Sequence, residues 1–267
     1  MKKVTALVAA FAAALAVAAA VPAQTGDAVA DGNAHPNVGA LLMKRADGSL
    51  RIICSGTLVS SRVFLTAGHC TSYMEANGQF DAYVTFEEKF GLDAEHNVFS
   101  TPYHGKVVTN PQYHEPYLHD TALILLDKPV KGIAPAKIAS RHYLDALRDN
   151  GTIDDFGYLN VGYGSAEQLV VPTVGPTFPF DGTRKWTISQ YTTLDPAMIH
   201  LNQNLFQGNS GTGYGDSGGP TFVDTGSGPR VVSVVSTGDV PCWATSVNTR
   251  VDTDDAQDFL APYLALK

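Results

Sequence analysis

From residue 38 onward the hydrophobic positions fall in short runs separated by clusters of Gly, Pro, Asn and Asp. Val38–Lys44 and Ser49–Cys54 flank Ala46-Asp47-Gly48, a hairpin signal. Gly56–Ser60, Val63–Thr66, Ala82–Phe86, Lys106–Thr109 and Thr121–Leu126 continue the series. After Gly164 it resumes with Lys185–Tyr191, Thr221–Val223, Arg230–Ser236 and Ser246–Val251. Short runs at regular spacing with Gly/Pro punctuation predict the strands of a sandwich or of barrels. Strand and helix patterns do not alternate, and no internal repeat is visible in the sequence. Two stretches read as helical. Arg141 to Arg148 is a short amphipathic piece in a linker. Asp254 to Leu266 carries acids in its first turn and Phe259, Leu260, Tyr263 and Leu264 at helical spacing, so it predicts a terminal helix packed on the body.

The N-terminus departs from this pattern. Lys2 and Lys3 precede an Ala-, Val- and Leu-rich run from Val4 to Val21, and Val21-Pro22-Ala23 offers small residues for cleavage. A secretory signal over residues 1–23 is the expectation, rather than a retained membrane helix, because Ala is only marginally apolar. No later stretch is long and apolar enough to span a bilayer. Removal leaves about 240 residues, one large domain or two small ones. With 25 glycines, 15 prolines and 16% charged residues, the composition suits a loop-rich, strand-rich fold. The net charge of −8, without a basic stripe, argues against a nucleic-acid partner. Three Cys in a secreted chain imply one disulfide and one residue left over.

The candidate chemistry centres on Gly213-Tyr214-Gly215-Asp216-Ser217-Gly218-Gly219-Pro220. Glycine takes backbone angles closed to other residues and lets a second backbone come close. A Ser held in such a turn can have N–H groups pointing at the space above its hydroxyl, as an acyl-transfer nucleophile needs. Taken alone, the stretch reads as a Gly-rich surface turn; a catalytic reading needs a base and an orienting acid elsewhere. His69 stands at the end of an apolar strand in Leu65-Thr66-Ala67-Gly68-His69-Cys70. Cys54 and Cys70 can close a loop worth about 3 kcal/mol on the chain-entropy model, and the bridge would fix the backbone carrying His69. Asp120 opens the apolar run Thr121–Leu126. A carboxylate partly buried there needs a partner, and an imidazole N–H is a good one; an acid facing solvent at the start of a strand is the equal alternative. The order His69, Asp120, Ser217 excludes an α/β-hydrolase, whose His follows its Ser, since no His follows Ser217. A subtilisin-type order would place the Asp first, and nothing around Asp27, Asp31 or Asp47 fits it.

Together these residues resemble the chymotrypsin/trypsin-family serine endopeptidases, of the secreted bacterial type. The resemblance rests on Thr66-Ala67-Gly68-His69-Cys70, Asp120-Thr121-Ala122-Leu123 and Gly215-Asp216-Ser217-Gly218-Gly219-Pro220, with support from the Cys54–Cys70 spacing, Val161-Gly162-Tyr163-Gly164 and Ser236-Thr237-Gly238. It covers nearly all of the chain after the signal. It implies an all-β fold of two antiparallel six-stranded β-barrels, with the active site between them and a C-terminal helix. The expected layout is an N-terminal arm at 24–37, barrels at 38–140 and 156–252, a linker at 141–155 and the helix at 253–267. It also implies roles: Ser217 as nucleophile, His69 as base, Asp120 as its orienting acid, and the N–H groups of Gly215 and Ser217 as the oxyanion hole. Protein or peptide substrates, no cofactor, no metal, no membrane after signal cleavage, an extracellular location and a monomer complete the expectation. A base must be neutral to accept a proton, so activity should fall in acid.

The sequence departs from the family's pattern in three places. Gly213 stands where a Cys usually pairs with the position of Cys242, leaving Cys242 as a buried thiol or, less simply, as an intermolecular bridge. No Ile-Val-Gly-Gly follows a basic residue, so either trimming exposes Ala28 to meet Asp216 or Asp216 pairs with an internal cation; both stay open. Gly211 stands at the expected base of the primary pocket, and Thr212, Ser236, Gly238 and Ser246 would complete a roomy, uncharged site for medium to large apolar side chains. Asp239 lies near enough to favour a cation instead. His96, His104, His114 and His119 are irregularly spaced and read as solvated loop histidines rather than a metal site. A non-catalytic homologue acting as a binding module, or an esterase using the same site, are the alternatives.

Overall fold

The computed structural model describes residues 28–93, 97–165, 169–171, 175–177 and 180–266; the expected signal at 1–23, the start of the arm and His96 lie outside them. Six strands form the first barrel: β1 (Val38–Lys44), β2 (Leu50–Ser60), β3 (Val63–Thr66), β4 (Asp81–Thr85), β5 (Tyr103–Thr109) and β6 (Ala122–Leu126). They close in the order β1-β2-β3-β6-β5-β4, every pair antiparallel. The second barrel uses β7 (Tyr158–Gly162), β8 (Lys185–Leu194), β9 (Met198–Asn202), β10 (Pro220–Val223), β11 (Arg230–Gly238) and β12 (Thr245–Arg250). It closes as β7-β8-β9-β12-β11-β10, again antiparallel. The two barrels thus share one strand order although the sequence shows no repeat. A barrel asks only that alternate residues of each strand face inward, and many sequences meet that demand.

Beside short strands and 3-10 turns outside the barrels, the described residues form three α-helices: α1 (Gly68–Ala76), α2 (Tyr143–Asp149) and α3 (Asp254–Leu264). Thr253 caps α3 by accepting from Ala256 N, and Leu260 packs into an apolar layer with Leu65 and Leu123 of the first barrel and Val161, Phe222 and Val234 of the second. The terminal helix therefore docks on the body as its periodicity predicts. The sequence pattern misplaces other elements. The runs at Ser49–Cys54 and Gly56–Ser60 merge, from Leu50 on, into one strand, β2. The helix α1 has no amphipathic stripe to announce it: Gly68, Cys70, Thr71 and Met74 are its buried residues. In β9 only Ile199 and Leu201 are buried, too few to stand out in the sequence.

Two buried polar residues join the halves. Arg184 is fully buried. Its guanidinium donates to Asp31 Oδ2 at 2.8 Å, Asn33 Oδ1 at 2.8 Å, the carbonyls of Val38 and Phe86 at 2.9 and 3.1 Å, and Tyr163 Oη at 3.1 Å. One side chain so ties the N-terminal arm and the first barrel to the segment leaving β7. Ser55, in β2, donates from N to Ser217 O at 2.8 Å and from Oγ to Gly215 O at 2.9 Å, and its Oγ accepts from Tyr163 N at 3.0 Å.

Candidate active site

The register of the first barrel places His69 beside Asp120. β3 and β6 run antiparallel with Thr66 opposite Ala122, so continuing the chain beyond each strand end brings residues 68–69 against residue 120. There the chain turns into α1 at Gly68. A side chain at Gly68 would put its Cβ 2.9 Å from the Tyr113 ring and 3.2 Å from Asp120 Oδ1, so only glycine fits. Asp120 is fully buried. Its Oδ1 accepts from His69 N at 2.7 Å and its Oδ2 pairs with His69 Nδ1 at 2.9 Å. The first N–H groups of a helix lack internal acceptors, and the carboxylate satisfies one of them while holding the ring. Tyr117 packs edge-on against the imidazole, with centroids 5.5 Å apart. Burial, then the nearby Asp120 and Glu115 carboxylates, pushes the Tyr113 hydroxyl up to about 12, so it stays protonated.

The Cys54–Cys70 disulfide forms as expected, with Cα atoms 6.4 Å apart. It links the strand carrying Ser55 to the helix carrying His69, and so couples His69 to the residue that clamps the loop around Ser217. Cys54, His69 and Cys70 have metal-ligand spacing, but both sulfurs are spent in the bridge and cannot coordinate as thiolates. His69 Nε2 lies 3.6 Å from Cys70 Sγ. Among the described residues no hydrogen bond joins it to Ser217, although both side chains line one cleft of about 300 Å³.

The loop around Ser217 is held by its own backbone and by the first barrel. Gly218 N donates to Val235 O and Gly219 N to Asp216 O, both at 2.7 Å. Gly218 has φ +76°, and a Cβ there would fall 2.2 Å from Thr66 Oγ1 and 2.6 Å from Ala67 N. The loop therefore presses directly on the strand that leads to His69. Asp216 is buried, and its carboxylate accepts from Gly164 N at 2.9 Å and Gly213 N at 2.8 Å. Gly213, which cannot form the family's usual disulfide, is anchored by this contact. Asp216, Gly218 and Gly219 also donate internally from N; among the described residues the N–H groups of Gly215 and Ser217 do not.

Thr212, Ser236 and Gly238 line the cleft with His69 and Ser217. Gly211 and Ser246 lie behind its wall: both are buried, and Ser246 Oγ pairs with Thr212 Oγ1 at 2.8 Å. From Ser246 a buried polar chain runs on through Asn248, Thr221, Asn160 and Ser189 to the Ser210 carbonyl. Asp239 lines the cleft, yet its carboxylate is occupied by the N–H groups of Trp243, Ala244 and Thr245 at 2.9, 3.0 and 2.6 Å. Burial raises its pKa, and these hydrogen bonds outweigh burial and hold it below the usual carboxylate value. Cys242 is an unbridged, buried thiol, pushed up to about 12 by burial and then by the Asp216 and Asp239 carboxylates. His104 and His119 pair with Asp127 and Asp255 rather than with one another. Sequence reasoning missed Ser55, Tyr117 and Gln203, which also lines the cleft. Ser55 could have been found from its place beside Cys54; Gln203 follows the strand that the pattern did not reveal.

A family model described as Trypsin matches residues 24–259. Coagulation factor IX of Oryctolagus cuniculus is 24% identical over 211 residues, covering 72% of this chain and 69% of that protein.

Proposed function

The chain belongs to the trypsin family, and from that premise we propose that it is a secreted serine endopeptidase acting through His69, Asp120 and Ser217. The observation that carries this reading is the buried Asp120 gripping both the backbone and Nδ1 of His69, with Ser217 in the same cleft. In the proposed reaction Ser217 Oγ attacks the scissile carbonyl carbon as its proton passes to His69 Nε2. The carbonyl oxygen becomes an anion and is met by the N–H groups of Gly215 and Ser217, which no protein acceptor among the described residues claims. The C–N bond breaks, and His69 returns the proton to the leaving amine. Water then attacks the acyl-enzyme with His69 again as base, releasing the acid and restoring Ser217. Asp120 stabilises the imidazolium in both halves. His69 and Ser217 lack a direct hydrogen bond here, in keeping with unliganded sites whose contacts tighten when substrate arrives. The signal-like N-terminus and the disulfide support secretion, and the family supports protein substrates.

A sulfonyl fluoride or organophosphorus probe tests the assignment. The purified protein should be labelled once, at Ser217, and Ser217→Ala should abolish both labelling and peptide cleavage. Wild type that takes no label would leave a binding module, and labelling with ester but not peptide hydrolysis would leave an esterase.

A further inference from the structure

The floor of the cleft is built by a residue other than the one whose position first suggests it. Gly211 has no side chain, and the space it leaves is filled. A Cβ at 211 would lie 2.1 Å from Gln203 Oε1 and 2.3 Å from Gln203 Cβ. Gln203 follows β9, is 1% exposed, and is anchored by its own N–H to the Ala244 carbonyl at 3.0 Å. Its Oε1 accepts from Thr212 N at 2.9 Å. That bond orients the amide: the oxygen faces the wall, and Nε2 is the end left over. Among the described residues no protein acceptor pairs with Nε2, and it is not one of the enclosed side-chain atoms left without a partner, so it stays open to the cleft that Gln203 lines with His69 and Ser217. A substrate that fills the cleft takes water away from Nε2 and leaves it unpaired unless it brings an acceptor, which is costly.

We propose that Gln203 sets the primary specificity, and that the cleft takes an uncharged side chain ending in a hydrogen-bond acceptor, glutamine foremost, before the scissile bond. This rests on the endopeptidase reading of the site. The substrate's amide oxygen accepts from Gln203 Nε2 at the pocket floor, while its stem packs along the wall. A carboxylate-ended side chain fits less well, since Asp239 supplies negative charge and no Lys or Arg lines the cleft. A cationic end would bring donors to a donor at the floor, and Asp239 offers it charge but no free acceptor, its oxygens being engaged by three N–H groups. A purely apolar side chain of the same length enters the space but leaves the Gln203 N–H groups unpaired. Sites built to hydrogen-bond a substrate discriminate strongly against analogues that lack the partner.

The test uses matched peptides that differ only in the residue before the scissile bond: Gln, Glu, Met or Lys. Competent sites are first counted by titration with a fluorophosphonate, and kcat/KM is expressed per titrated site. The expected result is Gln preferred over the near-isosteric Met by roughly 10- to 100-fold, with Gln203→Met bringing that ratio to unity or reversing it. Should the variant fail to fold, the wild-type ranking still decides. A wild type that titrates fully but favours Met or Lys overturns the proposal, as does a folded Gln203→Met variant with the wild-type ratio. Protein that does not react with the fluorophosphonate overturns the endopeptidase reading itself, and this proposal with it.

Discussion

At the scale of single residues, the site is defined by which polar atoms are engaged and which are left over. Asp120 spends one oxygen on the helix backbone and the other on the imidazole. Asp120→Asn keeps the shape but cannot stabilise the imidazolium. We expect kcat to fall by at least about 10²-fold, within the range general acid–base catalysis contributes, with KM little changed. Steady-state kinetics against the same peptide checks this, and an unchanged kcat would remove Asp120 from the mechanism. Cys242 illustrates the opposite case. With its thiol pushed up to about 12, the thiolate is scarce at neutral pH, and reactivity follows the thiolate. Iodoacetamide at pH 8 should leave native protein unmodified and alkylate one thiol after denaturation without reductant. Stoichiometric alkylation of the native state would contradict this.

At the scale of elements, the loop around Ser217 is seated directly against the first barrel. Gly218 both takes a left-handed backbone and touches Thr66 and Ala67. Gly226 has φ +94° with nothing within 4 Å of a Cβ, so it isolates the backbone effect. Gly226→Ala should cost only the conformational penalty of about 1–2 kcal/mol. Gly218→Ala should cost more, because a backbone nitrogen cannot swing aside, and it should abolish probe labelling by displacing Ser217. Melting temperatures and labelling yields of the two variants, measured side by side, decide the point; equal effects would show the contact at Gly218 to be loose. Ser55 acts at this scale as well. It holds the Gly215 and Ser217 carbonyls, and it does so from the strand that the Cys54–Cys70 bridge ties to the helix carrying His69.

At the scale of the whole molecule, Arg184 and Asp31 fasten the arm across both barrels. Burial raises the Asp31 carboxyl, but hydrogen bonds from His35 and Arg184 together with the Arg184 charge outweigh it and lower the carboxyl from 3.8 to about 2. A group whose pKa is lower in the folded state stabilises the fold above its unfolded value and loses that stabilisation as pH falls through its folded value. The window here runs from about pH 4 down to about pH 2. Asp31→Ala leaves the Arg184 charge buried and unpaired, so a loss of about 3–5 kcal/mol at pH 7 is expected. Between pH 4 and pH 2 wild type should lose stability that the variant never had, so the two curves should converge. Denaturant titrations across that range read this directly, and curves that stay parallel would argue against the pair.

The sequence by itself determined the all-β class, most strand positions, the terminal helix and the order of His69, Asp120 and Ser217, because these rest on local hydrophobic period and on short motifs. It also pointed to the Cys54–Cys70 pair and to a third thiol without a partner. Only the tertiary structure decided what depends on long-range approach. Asp216 accepts from the backbone of Gly164, 52 residues away in the chain. Ser55 reaches Gly215 across 160 residues of chain. Gln203 comes to fill the space that Gly211 leaves only because β9 and β12 pair in a particular register. A motif is legible when its residues are neighbours in sequence; a pocket floor is legible only when the barrel has closed and shown which side chain arrives there.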